Sequence, residues 1–380
     1  MKEITVRNPL RLLRQAGQSV WLDYIHRHLL RSGELARLVE EDGVSGVTSN
    51  PTIFEKAISA SDDYADALAR LRAGRASVVA AYETLVAEDI TAACDILRPT
   101  FDQTGGADGF VSVEVSPLLA RDTAGTIQEV RQWIQRIGRP NLMVKIPGTP
   151  EGEPAIEEMI AEGHNINITL LFSVPAYARV AEAYLHGLER RVAAGQPIDR
   201  VASVASFFVS RIDTETDTRL AARLASAGGA ERALLAGLQG KVAIANAKLA
   251  YRVFREAFTG DRYKHLAARG ARVQRPLWGS TSTKNPAYPD LLYVEALVGP
   301  DTVDTLPPQT ISAFRDHGRV NPDAVTEGLA EATAVFAQLQ KVGISIDEVT
   351  QRVLEAGIAS FADSYRQLLA AIEQRLRSSS

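Results

Sequence analysis

A lysine stands near the end of an otherwise apolar, strand-like run, NLMVKIP (141–147), where Lys145 alternates with Met143. Such a lysine has two readings. Its amine snorkels to water at the strand end, or desolvation favours the neutral amine, a nucleophile able to form a Schiff base with a carbonyl. Spacing alone leaves the two level. Carboxylates hold similar positions in neighbouring runs: Glu114 in FVSVEVS (110–116) and Asp23 in SVWLDYI (19–25). Beside an imine-forming amine they would move the protons that the chemistry requires. A third group is GSTSTKN (279–285), where Ser282 and Lys284 lie among small residues, with Arg211 just past VASVASFF (201–208). Hydroxyls and two cations suit an anion such as phosphate. They equally suit a hydrophilic loop with solvated charges.

These residues need a frame that brings them together. Eight runs read as strands: 19–25, 44–50, 110–116, 141–147, 165–172, 201–208, 273–280 and LLYVEALV (291–298). Gly, Pro and Asn punctuate them and helical stretches follow, which predicts a (β/α)8 barrel. Several runs alternate instead of being apolar throughout. Val111, Val113 and Val115 oppose Ser112, Glu114 and Ser116; Ile166, Ile168 and Leu170 oppose Asn165, Asn167 and Thr169. Asp23 shares a face with Ser19 and Trp21, and Asn50 with Gly46 and Thr48. If the aliphatic face meets the helices, the polar face points into the barrel, where unpartnered groups cost several kcal/mol. Any one of them reads as a wetted strand end. The repetition over several strands points to a site at the C-terminal end of the barrel.

The longest strand-free interval, between the sixth and seventh runs, reads as two or more helices broken at Ala227-Gly228-Gly229. A helical extension spans about 322–377. In it Ser345 and Glu348 form a capping box, and Val349, Val353, Ile358, Phe361, Tyr365, Leu368 and Ile372 recur at near-helical spacing. That helix must dock on the barrel or, in a homo-oligomer, on a second subunit. Ser378–Ser380 read as a frayed end.

Composition narrows the class. Lys and Arg number 42 against 46 Asp and Glu, so a net charge of -4 gives no electrostatic reason to expect nucleic acid or an anionic membrane. One cysteine, Cys94, excludes an intrachain disulfide and any all-Cys metal site, and suits a reducing cytoplasm. No apolar run reaches bilayer-spanning length, and MKEITVRNPLRLLRQAG lacks the apolar stretch of a secretion signal. His26-x-His28 reads as a helix start rather than a metal pair. Gly237 and Gly240-Lys241 lack phosphate-loop spacing, and no G-x-G-x-x-G follows a strand. Cys94 reads as a packed helical residue, and Trp21 and Trp278 as packing in or around the barrel.

GVTSNPTIFEKAI (46–58), VSVEVSP (111–117), NLMVKIPGTPEG (141–152), NINITLLFS (165–173) and ASFFVSRID (205–213) resemble successive strand motifs of transaldolase. LWGSTSTKNPAYPDLLYVEALVGPDTVDTLPPQT (277–310) is similar to the longer transaldolase subfamily, which also occurs fused to glucose-6-phosphate isomerase. The resemblance covers most of the chain and implies a single TIM barrel domain over 1–380, of the class I aldolase type with additional helices. It implies transfer of a dihydroxyacetone unit in the pentose phosphate pathway, from sedoheptulose 7-phosphate to glyceraldehyde 3-phosphate, giving erythrose 4-phosphate and fructose 6-phosphate. By the same resemblance Lys145 is the Schiff-base lysine, Asp23 the acid/base and Glu114 a proton carrier acting through a water that Thr169 helps to hold. Thr48, Asn50, Asn167, Ser206, Phe208 and Arg211 fall on substrate-binding positions, with Arg211 on the phosphate. Ser282 and Lys284 stand where shorter relatives carry Ser-x-Arg, and a lysine holds phosphate as a point charge rather than a planar fork. No metal or organic cofactor is implied, because the imine is itself the electron sink. Two alternatives stand: an aldolase using the same lysine that releases free dihydroxyacetone, and a catalytically silent sugar-phosphate-binding barrel, against which Lys145, Glu114 and Asp23 together argue.

Overall fold

In the computed structural model, which describes residues 8–377, parallel strands close into a barrel in sequence order. They are β1 (Gln18–Leu22), β2 (Gly46–Thr48), β3 (Phe110–Glu114), β4 (Leu142–Pro147), β5 (Ile166–Leu171), β6 (Ser203–Phe208), β7 (Gln274–Gly279) and β8 (Thr302–Leu306). Ser378–Ser380 lie outside the described residues. Among the described residues no helix is long and apolar enough to cross a membrane.

Seven expected strands are found within a few residues of their places. The eighth is not. LLYVEALV carries the short helix Leu292–Ala296, and β8 is TVDTL, ten residues further on. Leu291, Val294 and Val298 are buried at helical spacing, and Leu, Glu and Ala favour that state. Gly299-Pro300 separates that helix from β8, and Asp304 interrupts the apolar pattern that would have marked the strand. The 227–229 break is as expected. Helix Ser210–Leu224 ends before it and Gly229–Leu238 begins at it, followed by Val242–Ala257 and Asp261–Ala267.

The barrel has two layers of different character. At the N-terminal end Trp21, Phe110, Met143, Val204, Leu277 and Val303 form an apolar plug. Outside, Val20, Val47, Val111, Val113, Val144, Ile146, Ile166, Ile168, Phe207 and Trp278 belong to the main core with the surrounding helices. Cys94 is buried there too, within helix Val78–Gln103. The plug needs Gly46: a Cβ at that position would lie 2.4 Å from the Trp21 ring. Gly46→Ala is therefore expected to cost about 1–3 kcal/mol through overpacking. Calorimetry should show a lower thermal midpoint. An unchanged midpoint would mean that Trp21 gives way freely.

Above the plug the inward residues turn polar. Parallel register sets Glu114 opposite Lys145 and Lys145 opposite Asn167, so three adjacent strands deliver these side chains at one level. The expected alternation in β5 holds as far as Thr169. Leu170 then takes φ 57°, and the β5–β6 register shifts between Ile168 and Leu171. The ladder is irregular here, with a bulky residue in a region it rarely adopts.

The C-terminal helix, Ile346–Arg377, docks on this chain's own barrel, chiefly against helix Pro51–Ser59. Ser345 caps it, accepting from Glu348 N at 3.4 Å. Its buried Gly357 explains how it approaches so closely. A Cβ there would lie 3.1 Å from Leu170 Cδ2 and 3.3 Å from Arg211 Nη1. Mid-helix glycine is unfavourable by roughly 1 kcal/mol, and here it lets the helix pass over the end of β5.

Candidate active site

A cavity of about 370 Å³ opens at the C-terminal end of the barrel. Lys145 is at its floor and 5% exposed. Its Nζ donates to Glu114 Oε2 and to the Ser49 carbonyl, both at 3.0 Å. The lysine is thus buried rather than snorkelling. Burial raises the Glu114 carboxyl above the usual range, while the charge and hydrogen bond of Lys145 oppose the rise. Glu114 sits below the cavity lining and reaches it through Lys145.

Asp23, one residue past β1, lines the cavity. Thr48 Oγ1 donates to its Oδ1 at 2.7 Å. Burial raises this carboxyl too, against the Thr48 bond and the charges of Lys145, Lys284 and Arg211. An acid displaced towards neutrality gives and takes a proton more evenly than an exposed one.

Asn50 caps helix Pro51–Ser59: its Oδ1 accepts from Ile53 N at 2.9 Å. The cap fixes the amide and leaves its nitrogen to the cavity. Thr169 also lines the cavity, and its buried hydroxyl has no partner among the described residues. A buried polar atom in that state calls for water or ligand. Ser206 lines the cavity while donating to Asn167 Oδ1 at 2.7 Å, and Asn167 Nδ2 donates to Ser112 Oγ at 3.0 Å. The structure therefore does not bring Asn167 to the cavity surface. It lies one layer down, with its amide engaged at both ends.

Cations collect at the mouth. The Arg211 guanidinium carbon lies 5.3 Å from the Phe208 ring centre and 5.7 Å from that of Phe361, on the C-terminal helix. Two ring faces hold it electrostatically, and among the described residues no carboxylate pairs with it. Burial lowers its pKa, against the charges of Glu114 and Asp23. Lys284 donates to Ser282 Oγ at 2.6 Å. Two links set this loop beside Arg211: Ser210 N donates to the Ser280 carbonyl at 3.1 Å, and the hydroxyls of Ser210 and Ser280 are 2.9 Å apart. Underneath, Thr281 Oγ1 donates to Asp304 Oδ1 at 2.9 Å, with the Asp304 carboxyl pushed up to about 8 by burial. His26 and His28 play no part in the cavity; His26 caps helix Arg27–Arg31, as its position implied. Among the described residues no group of three or more His, Cys, Asp or Glu side chains is placed to hold a metal ion.

Among the lining residues that sequence reasoning missed are Thr52, Lys56, Ser360 and Phe361. Thr52 and Lys56 are four apart on the helix that follows Asn50, a spacing that puts them on one face. Phe361 was visible only as one apolar position of a docking helix.

A chain able to hold a buried amine, two displaced carboxyls and unpaired cations in one cavity has the parts for imine chemistry on an anionic carbonyl compound. Comparison with known proteins agrees. A family model described as Transaldolase/Fructose-6-phosphate aldolase matches residues 20–372. A transaldolase of Thiobacillus denitrificans is 49% identical over 356 residues, covering 94% of this chain and 97% of its own. One from Trichodesmium erythraeum is 46% identical, covering 98% of each. Transaldolase 1 of Streptomyces coelicolor is 47% identical, covering 97% of this chain and 95% of its own. The chain belongs to the transaldolase/fructose-6-phosphate aldolase family.

Proposed function

We propose that this cavity performs the transaldolase reaction, moving a dihydroxyacetone unit between sugar phosphates through a Schiff base on Lys145. The observation that carries the reading is the Lys145 amine, buried at the cavity floor against Glu114, with Asp23 across from it and unpaired cations above.

The steps follow from the contacts. Glu114 takes the ammonium proton along its hydrogen bond, and the free amine attacks C2 of a ketose phosphate. The carbinolamine hydroxyl leaves as water, protonated from Glu114 through a water at the Thr169 hydroxyl. The resulting protonated imine draws electrons from the C3–C4 bond. Asp23 removes the C4 hydroxyl proton, the bond breaks and an aldose phosphate departs. The enamine left on Lys145 adds to the aldehyde of a second aldose phosphate, and Asp23 returns its proton to the new hydroxyl. Water then releases the product ketose. Lysine supplies the electron sink throughout. Asn50 and Ser206 face the three-carbon unit, and Asn167 acts by orienting Ser206. Thr48 positions Asp23, Phe208 braces Arg211, and Arg211, Ser282 and Lys284 hold phosphate.

The barrel and the C-terminal helices act as one domain in this reading, since Phe361 completes the support of Arg211. The cytoplasm is the expected location, in keeping with the single, unpaired Cys94.

The test is to supply fructose 6-phosphate and erythrose 4-phosphate and follow glyceraldehyde 3-phosphate, with and without EDTA. Release that requires the acceptor and ignores EDTA is expected. Release without acceptor would make the chain a free aldolase. No release at all would make it a silent barrel.

A further inference from the structure

Helix Pro51–Ser59 starts at the Asn50 cap and runs along the cavity wall, so Thr52, Ile53 and Lys56 all line it. Lys56 is exposed, and among the described residues it has neither a carboxylate nor a hydrogen-bond partner. An isolated surface lysine is ordinarily a solvated charge. Two observations set this one apart. Lys56, Arg211 and Lys284 line one cavity, and burial with the charges of Arg211 and, more weakly, Lys56 disfavours the Lys284 ammonium against the charge of Asp23, so both other cations act on Lys284 across the mouth. Mutual repulsion of that kind is relieved by an anion placed between them. The helix carrying Lys56 is also held firmly. Thr52 Oγ1 is 2.8 Å from Ser364 Oγ on the C-terminal helix, and Phe54, Ala57 and Ile58 are buried.

We propose that Lys56 is a third phosphate-binding cation of this site, acting with Arg211 and Lys284 on the phosphate of both donor and acceptor sugars. The inference rests on the sugar-phosphate reading above and adds a residue to it. Arg211 lies near two ring faces and pairs with no carboxylate among the described residues, which leaves its N–H groups to phosphate oxygens. Lys284 and Lys56 are point charges without a fork. Together they supply from two sides what a second guanidinium would supply from one. Because the lysine cannot reach the reacting carbons while it holds phosphate, its effect belongs to binding.

The test measures inorganic phosphate binding to the full chain by calorimetry, for wild type, Lys56→Ala and Lys56→Arg, with Arg211→Ala setting the scale. Lys56→Ala should weaken phosphate binding about 5- to 20-fold, around the low end for a hydrogen bond to a charged group because Lys56 is exposed. Lys56→Arg should restore most of it. In steady-state kinetics Lys56→Ala should raise KM for fructose 6-phosphate by a similar factor and leave KM for unphosphorylated fructose in place. Unchanged phosphate affinity, or an equal change in KM for both sugars, would overturn the assignment. Phosphate calorimetry does not depend on turnover. A failure of the Schiff-base reading would therefore show as absent imine trapping in the wild type, while the Lys56 binding result stood.

Discussion

Lys145→Arg is expected to abolish turnover, lowering kcat by about four orders of magnitude or more, the scale on which loss of a covalent nucleophile acts. Arginine keeps a positive charge beside Glu114 and can retain the ion pair, so the floor of the cavity need not collapse. What it lacks near neutral pH is a free amine. Borohydride makes the point directly, because it reduces an imine to a stable secondary amine. Wild-type enzyme treated with ketose phosphate and borohydride should lose activity and gain mass at one lysine. The peptide containing NLMVKIPGTPEG should carry it as the reduced dihydroxyacetone adduct, the aldose half having already left. The variant should take no label and still bind inorganic phosphate, since Arg211 and Lys284 are untouched. Label at another lysine, or substantial activity in Lys145→Arg, would remove the Schiff-base assignment.

Why Lys145 could be picked out before any fold was known, and Lys56 could not, comes down to surroundings that a sequence does or does not reveal. Lys145 breaks an apolar run, as Glu114 and Asn167 break theirs, and a strand covered by helices has only its inner face for polar groups. Inward polarity was therefore legible on β3, β4 and β5. Lys56 lies on the exposed side of an amphipathic helix, where a lysine is unremarkable until the cavity is seen beside it. Phe361 shows the same limit. Its periodicity marked a buried face, but not that the face would cover Arg211. Strand 8 escaped because LLYVEALV satisfies helical as well as strand spacing, while TVDTL carries a buried aspartate at its centre. That aspartate holds Thr281, one residue before Ser282, so losing the strand also lost the support of the loop that carries Ser282 and Lys284. Strand alternation puts Asn167 on the inner side of the sheet but gives no depth. Its level in the barrel follows from register, which only the closed structure supplies.

Asp23 offers the cleanest separation of steps. In the proposed mechanism its carboxyl is needed when C3–C4 breaks and reforms, and not when the imine is made, because the amine's carboxylate partner is Glu114. Asp23→Asn removes the base, yet its amide oxygen can still accept from Thr48, so the local geometry has a substitute for the 2.7 Å bond. Turnover should fall about 10²- to 10⁴-fold, the usual contribution of a positioned acid/base. Borohydride should nonetheless label Lys145, and the label should now be the whole reduced ketose phosphate, because no aldose has left. Asp23→Ala should give the same adduct. There the Thr48 hydroxyl loses its partner, and water can take the vacated place at the cavity edge. The Asp23 charge also raises the Glu114 carboxyl, so either variant should move the acid limb of imine trapping to lower pH. Mass spectrometry of the labelled peptide decides the matter. A cleaved three-carbon adduct in Asp23→Asn would mean that another group takes the C4 hydroxyl proton. No adduct at all would put Asp23 in imine formation beside Glu114.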